Sequence, residues 1–259
     1  MAGDSAPAAP VAPDRETSPE SRPAFYALRS GGWRDYITLL HVPYTAWHLS
    51  YVAIGAAVAP RVDGGRLGAT LLGFFLGVGL TAHAVDELNG RPLRTRISDR
   101  TLWGIAIAAL AAAIGLGVLG AANVSWWLLA FVGFGGFIVL AYNLELVGGR
   151  FHSDFWFALS WGAFPALTAY FAQTATIRVE AVLVALACLF ISAAQRRLST
   201  PVRELRRRVV SVDGRMMLRD GTEVPVNEST VQKAPEAALR ILSLAMPLLA
   251  AGLLVARLA

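Results

Sequence analysis

The chain has 259 residues, of which 55% are hydrophobic and only 16% are charged, and its formal net charge at pH 7 is +5. A mean hydropathy of +0.51 is typical of a membrane protein and exceeds what a soluble domain of this size needs. The single cysteine, Cys188, excludes an intramolecular disulfide and a CxxC metal site. We expect no nucleic-acid partner, because the arginines are distributed around apolar segments in the manner of a membrane protein.

The amino-terminal segment differs in composition from the rest of the chain. Residues 1–23 consist mostly of Ala, Pro, Ser and acids, without a basic start or an apolar core. This composition predicts a disordered cytosolic tail and not a cleaved signal peptide. We assign the tail to residues 1–33.

Seven apolar blocks follow, each close to the roughly 20 residues that a helix needs to cross a bilayer. The sequence therefore predicts an all-α integral membrane protein, with six spans in a core over residues 34–198 and a last helix within residues 237–259. Most blocks are rich in Gly and Ala, which allows close helix packing. The blocks are 37–59, 67–88, 102–122, 126–144, 155–172, 179–194 and 237–256.

The distribution of basic residues predicts the orientation of this bundle. With the amino terminus inside, 19 Arg and Lys residues lie on the cytosolic side and 4 on the opposite side. Positive charge is retained on the cytosolic side of membrane proteins. We therefore expect a multi-pass protein of the cell membrane with a cytosolic amino terminus and the carboxyl terminus on the opposite side.

The long cytosolic loop over residues 199–236 is expected to carry structure of its own. Short extended runs at 209–212, 215–218 and 223–226 are separated by Asp-Gly pairs, a pattern typical of hairpins. We expect a small β meander here, which could bind a protein partner. Four arginines precede it, and they fit either anchoring at anionic headgroups or binding of a diphosphate: Arg203, Arg206, Arg207 and Arg208.

Ionisable side chains inside apolar helices are costly and usually mark a cavity or a site. Three clusters occur at helical spacing near the cytosolic ends of the first, second and fourth blocks. Together they could hold a divalent cation, because carboxylates suit Mg²⁺ or Mn²⁺ and imidazoles favour Fe or Zn. The candidate ligands are His41, His48, His83, Asp86, Glu87, Glu145 and His152, and Tyr44, Tyr142 and Asn143 lie among them.

One loop carries a recognisable motif. After Asp86 the sequence reads Arg91-Pro92-Leu93 and then Ile97-Ser98 before the next apolar helix. This stretch resembles the UbiA-type prenyltransferase superfamily, in which an aspartate-rich helix end precedes such a loop. The resemblance covers residues 36–198. Ala82 and His83 stand where that family has Asn and Asp, and the position of its second acidic motif reads Gln195-Arg196-Arg197-Leu198-Ser199.

The resemblance implies a UbiA-like helical bundle with a cavity that opens to the cytosol. It also implies an isoprenoid lipid as substrate, Mg²⁺ as cofactor and transfer of a prenyl group from an allylic diphosphate. His83, Asp86 and Glu87 would then be catalytic. The residues that would contact substrate are Asn89, Arg91, Tyr142, Asn143 and Arg150.

Two alternatives keep the fold and change the function. The histidines could hold Fe, Zn or Mn for other lipid chemistry. The chain could also be a non-catalytic paralogue that binds lipid and presents the loop over residues 199–236 to a partner.

Overall fold

The computed structural model describes residues 22–258, and most of them belong to a bundle of helices. Each of the seven predicted blocks overlaps one of the helices α2 to α8, which confirms an all-α membrane architecture. Four of these helices, α3, α4, α7 and α8, are long and apolar enough to span a bilayer. The helices are α1 (Trp33–Leu39), α2 (Val42–Ala57), α3 (Gly64–Leu88), α4 (Asp99–Asn123), α5 (Leu128–Asn143), α6 (residues 154–174), α7 (Val179–Arg208) and α8 (Glu228–Leu258).

Side-chain caps explain where several helices begin. Asp63 accepts a hydrogen bond from the amide of Arg66 at the start of α3. Ser98 does the same for the amide of Thr101 at the start of α4. Such caps satisfy amides that have no partner inside the helix. The loops therefore end at defined residues and hold the helix ends in place.

The first predicted block is broken into two helices. His41 has left-handed backbone angles, with φ 45°, and separates α1 from α2. The break turns the imidazole of His41 toward α3, where it stacks on His83. A single span over residues 37–59 is therefore the wrong description of this part of the chain.

Two helices contain π-helical segments, Phe75–Ala82 in α3 and Leu159–Ala163 in α6. Such segments are rare and occur frequently at functional sites. Val78 and Ala82 from the first pack in one apolar cluster with Trp161 from the second. Both irregular segments thus meet in the middle of the bundle.

Glycines allow three helices to pack closely. A side chain at Gly55 of α2 would collide with the backbone of Ala166 in α6. The Cβ of a residue replacing Gly162 would lie 2.6 Å from the carbonyl oxygen of Cys188 in α7. Small residues at these crossings let α2, α6 and α7 approach closely. Such close packing favours helix association in a bilayer, where no hydrophobic effect drives it.

The loop between α7 and α8 contains a two-stranded antiparallel hairpin. Strand β1 (Gly214–Met217) pairs with β2 (Glu223–Val226), and the Asp220-Gly221 turn joins them, with Gly221 at φ 86°. The third predicted strand, at residues 209–212, is not formed because α7 extends to Arg208 and leaves it no pairing partner. The proposed binding of a protein partner to this loop stays a prediction.

Residues 22–32 pack against the bundle, although the sequence predicts them as tail. The Leu28 amide donates to Thr38 Oγ1 at 2.9 Å, and Ala24 and Ala27 are buried. Tyr26 reaches the interior, where its hydroxyl lies 2.9 Å from His41 Nδ1. The remainder of the predicted tail, residues 1–21, lies outside the described residues.

Candidate functional site

Two buried carboxylates hold the loop that carries the Arg-Pro-Leu motif. Glu87 is fully buried at the end of α3 and accepts three hydrogen bonds, from the amides of Leu93 and Thr95 and from Thr95 Oγ1, each at 2.9 Å. Asp35 of α1 accepts from the amides of Arg96 and Gly31 at 2.9 Å. Charge-assisted hydrogen bonds of this kind are stronger than neutral ones. Both oxygens of Glu87 therefore already accept hydrogen bonds from the loop, and its predicted role as a metal ligand stays a prediction.

Other motif residues also serve the loop. Arg91 pairs with Asp99 and donates to the carbonyl oxygen of Ile97 at 2.6 Å. Asn89 Nδ2 donates to the carbonyl oxygen of Asn143 at 3.1 Å. The Asn143 amide group in turn donates to the Val139 carbonyl oxygen at 2.6 Å. These contacts join the loop to α5 and give Asn89, Arg91 and Asn143 structural partners, so substrate contact by them stays a prediction.

A group of polar side chains lies beside this loop, between the amino-terminal segment, α2, α3, α5 and α7. The rings of His41 and His83 stack with their centroids 3.9 Å apart. Tyr26 closes one side of the group against Tyr44, with ring centroids 5.3 Å apart, and burial raises the pKa of the Tyr26 phenol. We call this group the polar chamber, and its members are Tyr26, His41, Tyr44, His48, His83, Asp86, Tyr142, Arg203 and Arg207.

The chamber carries opposite charges that do not touch. Asp86 interacts electrostatically with Arg207 and Arg203, yet within residues 22–258 its carboxylate has no ion pair within 4.0 Å and no hydrogen bond. Arg203 and Arg207 are one turn apart on α7 and share a face with Arg196, which is two turns before Arg203. One carboxylate on α3 and two guanidinium groups on α7 therefore lie near each other without direct pairing.

Several buried polar atoms in the chamber have no hydrogen-bond partner among the described residues. They are His41 Nε2, His48 Nδ1, the Tyr142 hydroxyl and Arg207 Nε. A buried polar group left unpaired costs about 1–3 kcal/mol. Four such atoms around one space indicate a binding site for a polar group.

An apolar cavity of about 430 Å³ lies between α3, α4, α5 and α6. Its lining includes Val78, Val139 and Trp161 at one end and Arg66 at the other. The volume falls in the range of pockets that hold small molecules. The cavity is suited to the hydrocarbon part of a lipid.

The chamber and the cavity share a wall. Tyr142 faces the chamber and packs on Trp161 of the cavity, with ring centroids 4.6 Å apart. Phe157 stacks on Trp161 from the next turn of α6, and the guanidinium carbon of Arg196 lies 5.3 Å from the Phe157 ring centroid. A ligand with a polar head and an apolar tail would cross this aromatic wall.

The metal site predicted from the histidines is not assembled. Within residues 22–258, no group of three or more His, Cys, Asp or Glu side chains is placed to hold an ion. His48 Nε2 is 3.2 Å from Gln195 Oε1, and His83 Nδ1 is 3.2 Å from the Gly79 carbonyl oxygen. The donor set therefore does not fit the Mg²⁺ implied by the resemblance, nor a site for Fe, Zn or Mn.

The remaining predicted residues lie at the edge of the chamber or outside it. His152 Nδ1 lies 3.1 Å from the Tyr142 carbonyl oxygen and 3.9 Å from Glu145 Oε1. Glu145 and Arg150 are exposed on the surface. The structure thus brings together His41, His48, His83, Asp86 and Tyr142, and it places Glu145 and Arg150 away from them.

Four residues of the site were missed by the sequence interpretation or left open by it. Tyr26 lies in the predicted tail, and Arg196 lies just after the predicted end of the sixth span. Arg203 and Arg207 were given two alternative roles. The arginines could have been found from their spacing. Arg196, Arg203 and Arg207 lie on one helical face if the helix continues past Ala194.

The fold and the site define a membrane-embedded helical bundle with a polar chamber joined to an apolar cavity. No protein-family profile matches the chain, and no curated protein matches its sequence. The structure is similar to that of a UbiA homolog from Archaeoglobus fulgidus bound to Cd²⁺, with a TM-score of 0.45 and 18% sequence identity over 86% of this chain and 87% of that chain.

Proposed function

We propose that the protein is a membrane enzyme that transfers a prenyl group from an isoprenoid diphosphate. The observation that carries this proposal is the Tyr142–Trp161 wall, which lies between an apolar cavity of about 430 Å³ and a chamber with two arginines. The hydrocarbon chain would occupy the cavity, and the diphosphate would lie against Arg203 and Arg207. The carbon atom that reacts would then lie at the aromatic wall.

The chemistry of the wall suits an allylic cation. When the bond between C1 of the prenyl chain and the diphosphate oxygen breaks, its electron pair leaves with the diphosphate. The faces of Tyr142, Trp161 and Phe157 can stabilise the cation that remains on the prenyl chain. Guanidinium groups stabilise the charge on the departing diphosphate.

His83 can complete the reaction as a base. The Gly79 carbonyl oxygen only accepts hydrogen bonds, so His83 Nδ1 carries the proton that is donated to it. Nε2 of the neutral ring therefore keeps its lone pair. When an acceptor attacks C1 of the prenyl chain, it loses a proton, and His83 Nε2 would take that proton.

Purified protein in lipid nanodiscs, supplied with geranylgeranyl diphosphate and a mixture of phenolic and lipid alcohol acceptors, tests the proposal. We expect consumption of the diphosphate and a prenylated product by mass spectrometry, and we expect Tyr142→Ala to lose most of the activity. The test is repeated with every acceptor and with prenyl chains of ten to twenty carbon atoms, about the range that the cavity admits. If the protein binds these diphosphates and consumes none of them, it is a lipid-binding protein instead. Absence of binding would overturn the proposal.

A further inference from the structure

The two chamber arginines are not neutralised by the protein. Arg203 donates to Thr200 Oγ1 at 3.2 Å, and within residues 22–258 no carboxylate lies within 4.0 Å of it or of Arg207. Arg207 also has a buried Nε without a partner. Arg196, by contrast, is paired with Asp154 at 3.1 Å. Arg203 and Arg207 are half-buried and therefore present positive charge that an anionic ligand can neutralise.

The carboxylates near the chamber cannot supply a set of metal ligands. Glu87 is occupied by the loop amides. Glu236 is held by Arg206, Arg240 and Gln232 at 2.5–2.7 Å. Asp86 is left as the carboxylate that faces Arg203 and Arg207. Mg²⁺ that bridges protein and diphosphate is usually held by one or two carboxylates together with waters and phosphate oxygens. Within residues 22–258, Asp86 would have to serve this role alone, because no group of three or more His, Cys, Asp or Glu side chains is placed to hold an ion.

We infer that the chamber binds the phosphate groups of its lipid directly through Arg203 and Arg207, without a divalent cation between protein and ligand. The inference rests on the proposed function for the identity of the lipid. Two guanidinium groups one helical turn apart offer forked donors that match phosphate oxygens. Asp86 is the acidic member of the chamber, and it lies opposite the two arginines. An anionic ligand is therefore attracted to the arginines, and an ionised Asp86 carboxylate would repel it.

This arrangement predicts that replacing Asp86 does not weaken binding of the diphosphate. If Asp86 held a metal that binds the diphosphate, Asp86→Asn would weaken binding. If the arginines bind the diphosphate directly, the same substitution removes a repulsive charge and leaves the affinity equal or higher. The change in diphosphate affinity caused by Asp86→Asn therefore differs between the two modes of binding in direction as well as in size.

The experiment measures binding of inorganic pyrophosphate and of geranylgeranyl diphosphate to the full chain in nanodiscs, by microscale thermophoresis. Each ligand is titrated in EDTA and again in Mg²⁺. We expect affinities within about twofold in the two buffers. We also expect Arg203→Gln and Arg207→Gln each to weaken binding about 10- to 100-fold, and Asp86→Asn to bind at least as well as the unchanged protein.

Arg208→Gln is the matched control, because Arg208 is the exposed neighbour of Arg207, and we expect it to leave the affinity within about twofold. Arg203→Lys tests for misfolding, since it keeps the charge and should retain part of the affinity. Binding that requires Mg²⁺, or that is lost in Asp86→Asn, would overturn the inference while leaving prenyl transfer intact. Arginine-dependent binding in EDTA without any prenyl transfer would overturn the proposed function and uphold the inference.

Discussion

Asp86 and Glu87 are neighbours in sequence and have opposite environments. Glu87 is fully buried and accepts three hydrogen bonds from the loop that follows α3. Asp86 faces Arg203 and Arg207 without touching either of them. The comparison shows that an acid in a membrane helix can stabilise a loop or line a ligand site, and that hydrogen-bond saturation distinguishes the two roles.

The same contrast separates the two groups of arginines. Arg91 and Arg206 have carboxylate partners, Asp99 and Glu236 respectively. Arg203 and Arg207 have none within 4.0 Å among the described residues. Buried charge without a partner is unfavourable for stability, so its presence beside unpaired polar atoms indicates a function in ligand binding. The following predictions test this division between saturated and unsaturated groups.

The largest effect is expected from Glu87→Gln. The glutamine NH₂ group would face the amides of Leu93 or Thr95, which are donors themselves. We expect a loss of about 3 kcal/mol in the free energy of unfolding, because hydrogen bonds to a buried charge are lost. Thermal unfolding in detergent, followed by circular dichroism, measures the change.

Asp86→Asn is the control for that substitution, since it changes the adjacent acid by the same chemistry. We expect it to alter stability by less than about 1 kcal/mol. Equal losses of stability in the two variants would contradict the division between them.

An intermediate effect is expected from His83→Asn, which acts on the unsaturated side. The asparagine NH₂ group can keep the hydrogen bond to the Gly79 carbonyl oxygen and lacks the basic Nε2. We expect prenyl transfer to fall about 100-fold with little change in the affinity for geranylgeranyl diphosphate. An unchanged rate would show that His83 only packs against His41.

A smaller effect is expected from Gly77→Leu in the apolar cavity. No atom lies within 4 Å of an added Cβ at Gly77, so the leucine side chain can fill the cavity without a clash. We expect the affinity for geranylgeranyl diphosphate to fall about tenfold, while inorganic pyrophosphate binds as before. A parallel loss for both ligands would contradict the separation of tail and head sites.

Periodicity allowed most of the bundle to be predicted. The blocks over residues 67–88 and 102–122 correspond closely to α3 and α4, because a bilayer sets the length of an apolar helix. The loop motif also led to the right part of the molecule, since Ile97 and Leu93 are buried in the loop beside the chamber. Hydropathy could not predict that α7 continues to Arg208, because its last turns are polar.

The roles within the site were less predictable. Spacing put His83, Asp86 and Glu87 on one face of α3 and suggested a shared function. Their environments differ because a loop covers Glu87 and α7 faces Asp86. Likewise, the histidines suggested a metal site, and the backbone break at His41 instead stacks its ring on His83.

The sequence by itself determined a membrane-spanning helical protein, the approximate positions of most of its helices and the end of the bundle where polar residues gather. Those properties follow from hydropathy and helical period, which depend on residues close together in the chain. Only the tertiary structure decided which carboxylate was saturated, which arginines lacked a partner and that the aromatic wall joins the chamber to the cavity. These properties depend on residues more than 50 positions apart in the chain, such as Asn89, which contacts Asn143, and Asp86, which faces Arg203. Proximity between such distant residues follows from packing rather than from local pattern.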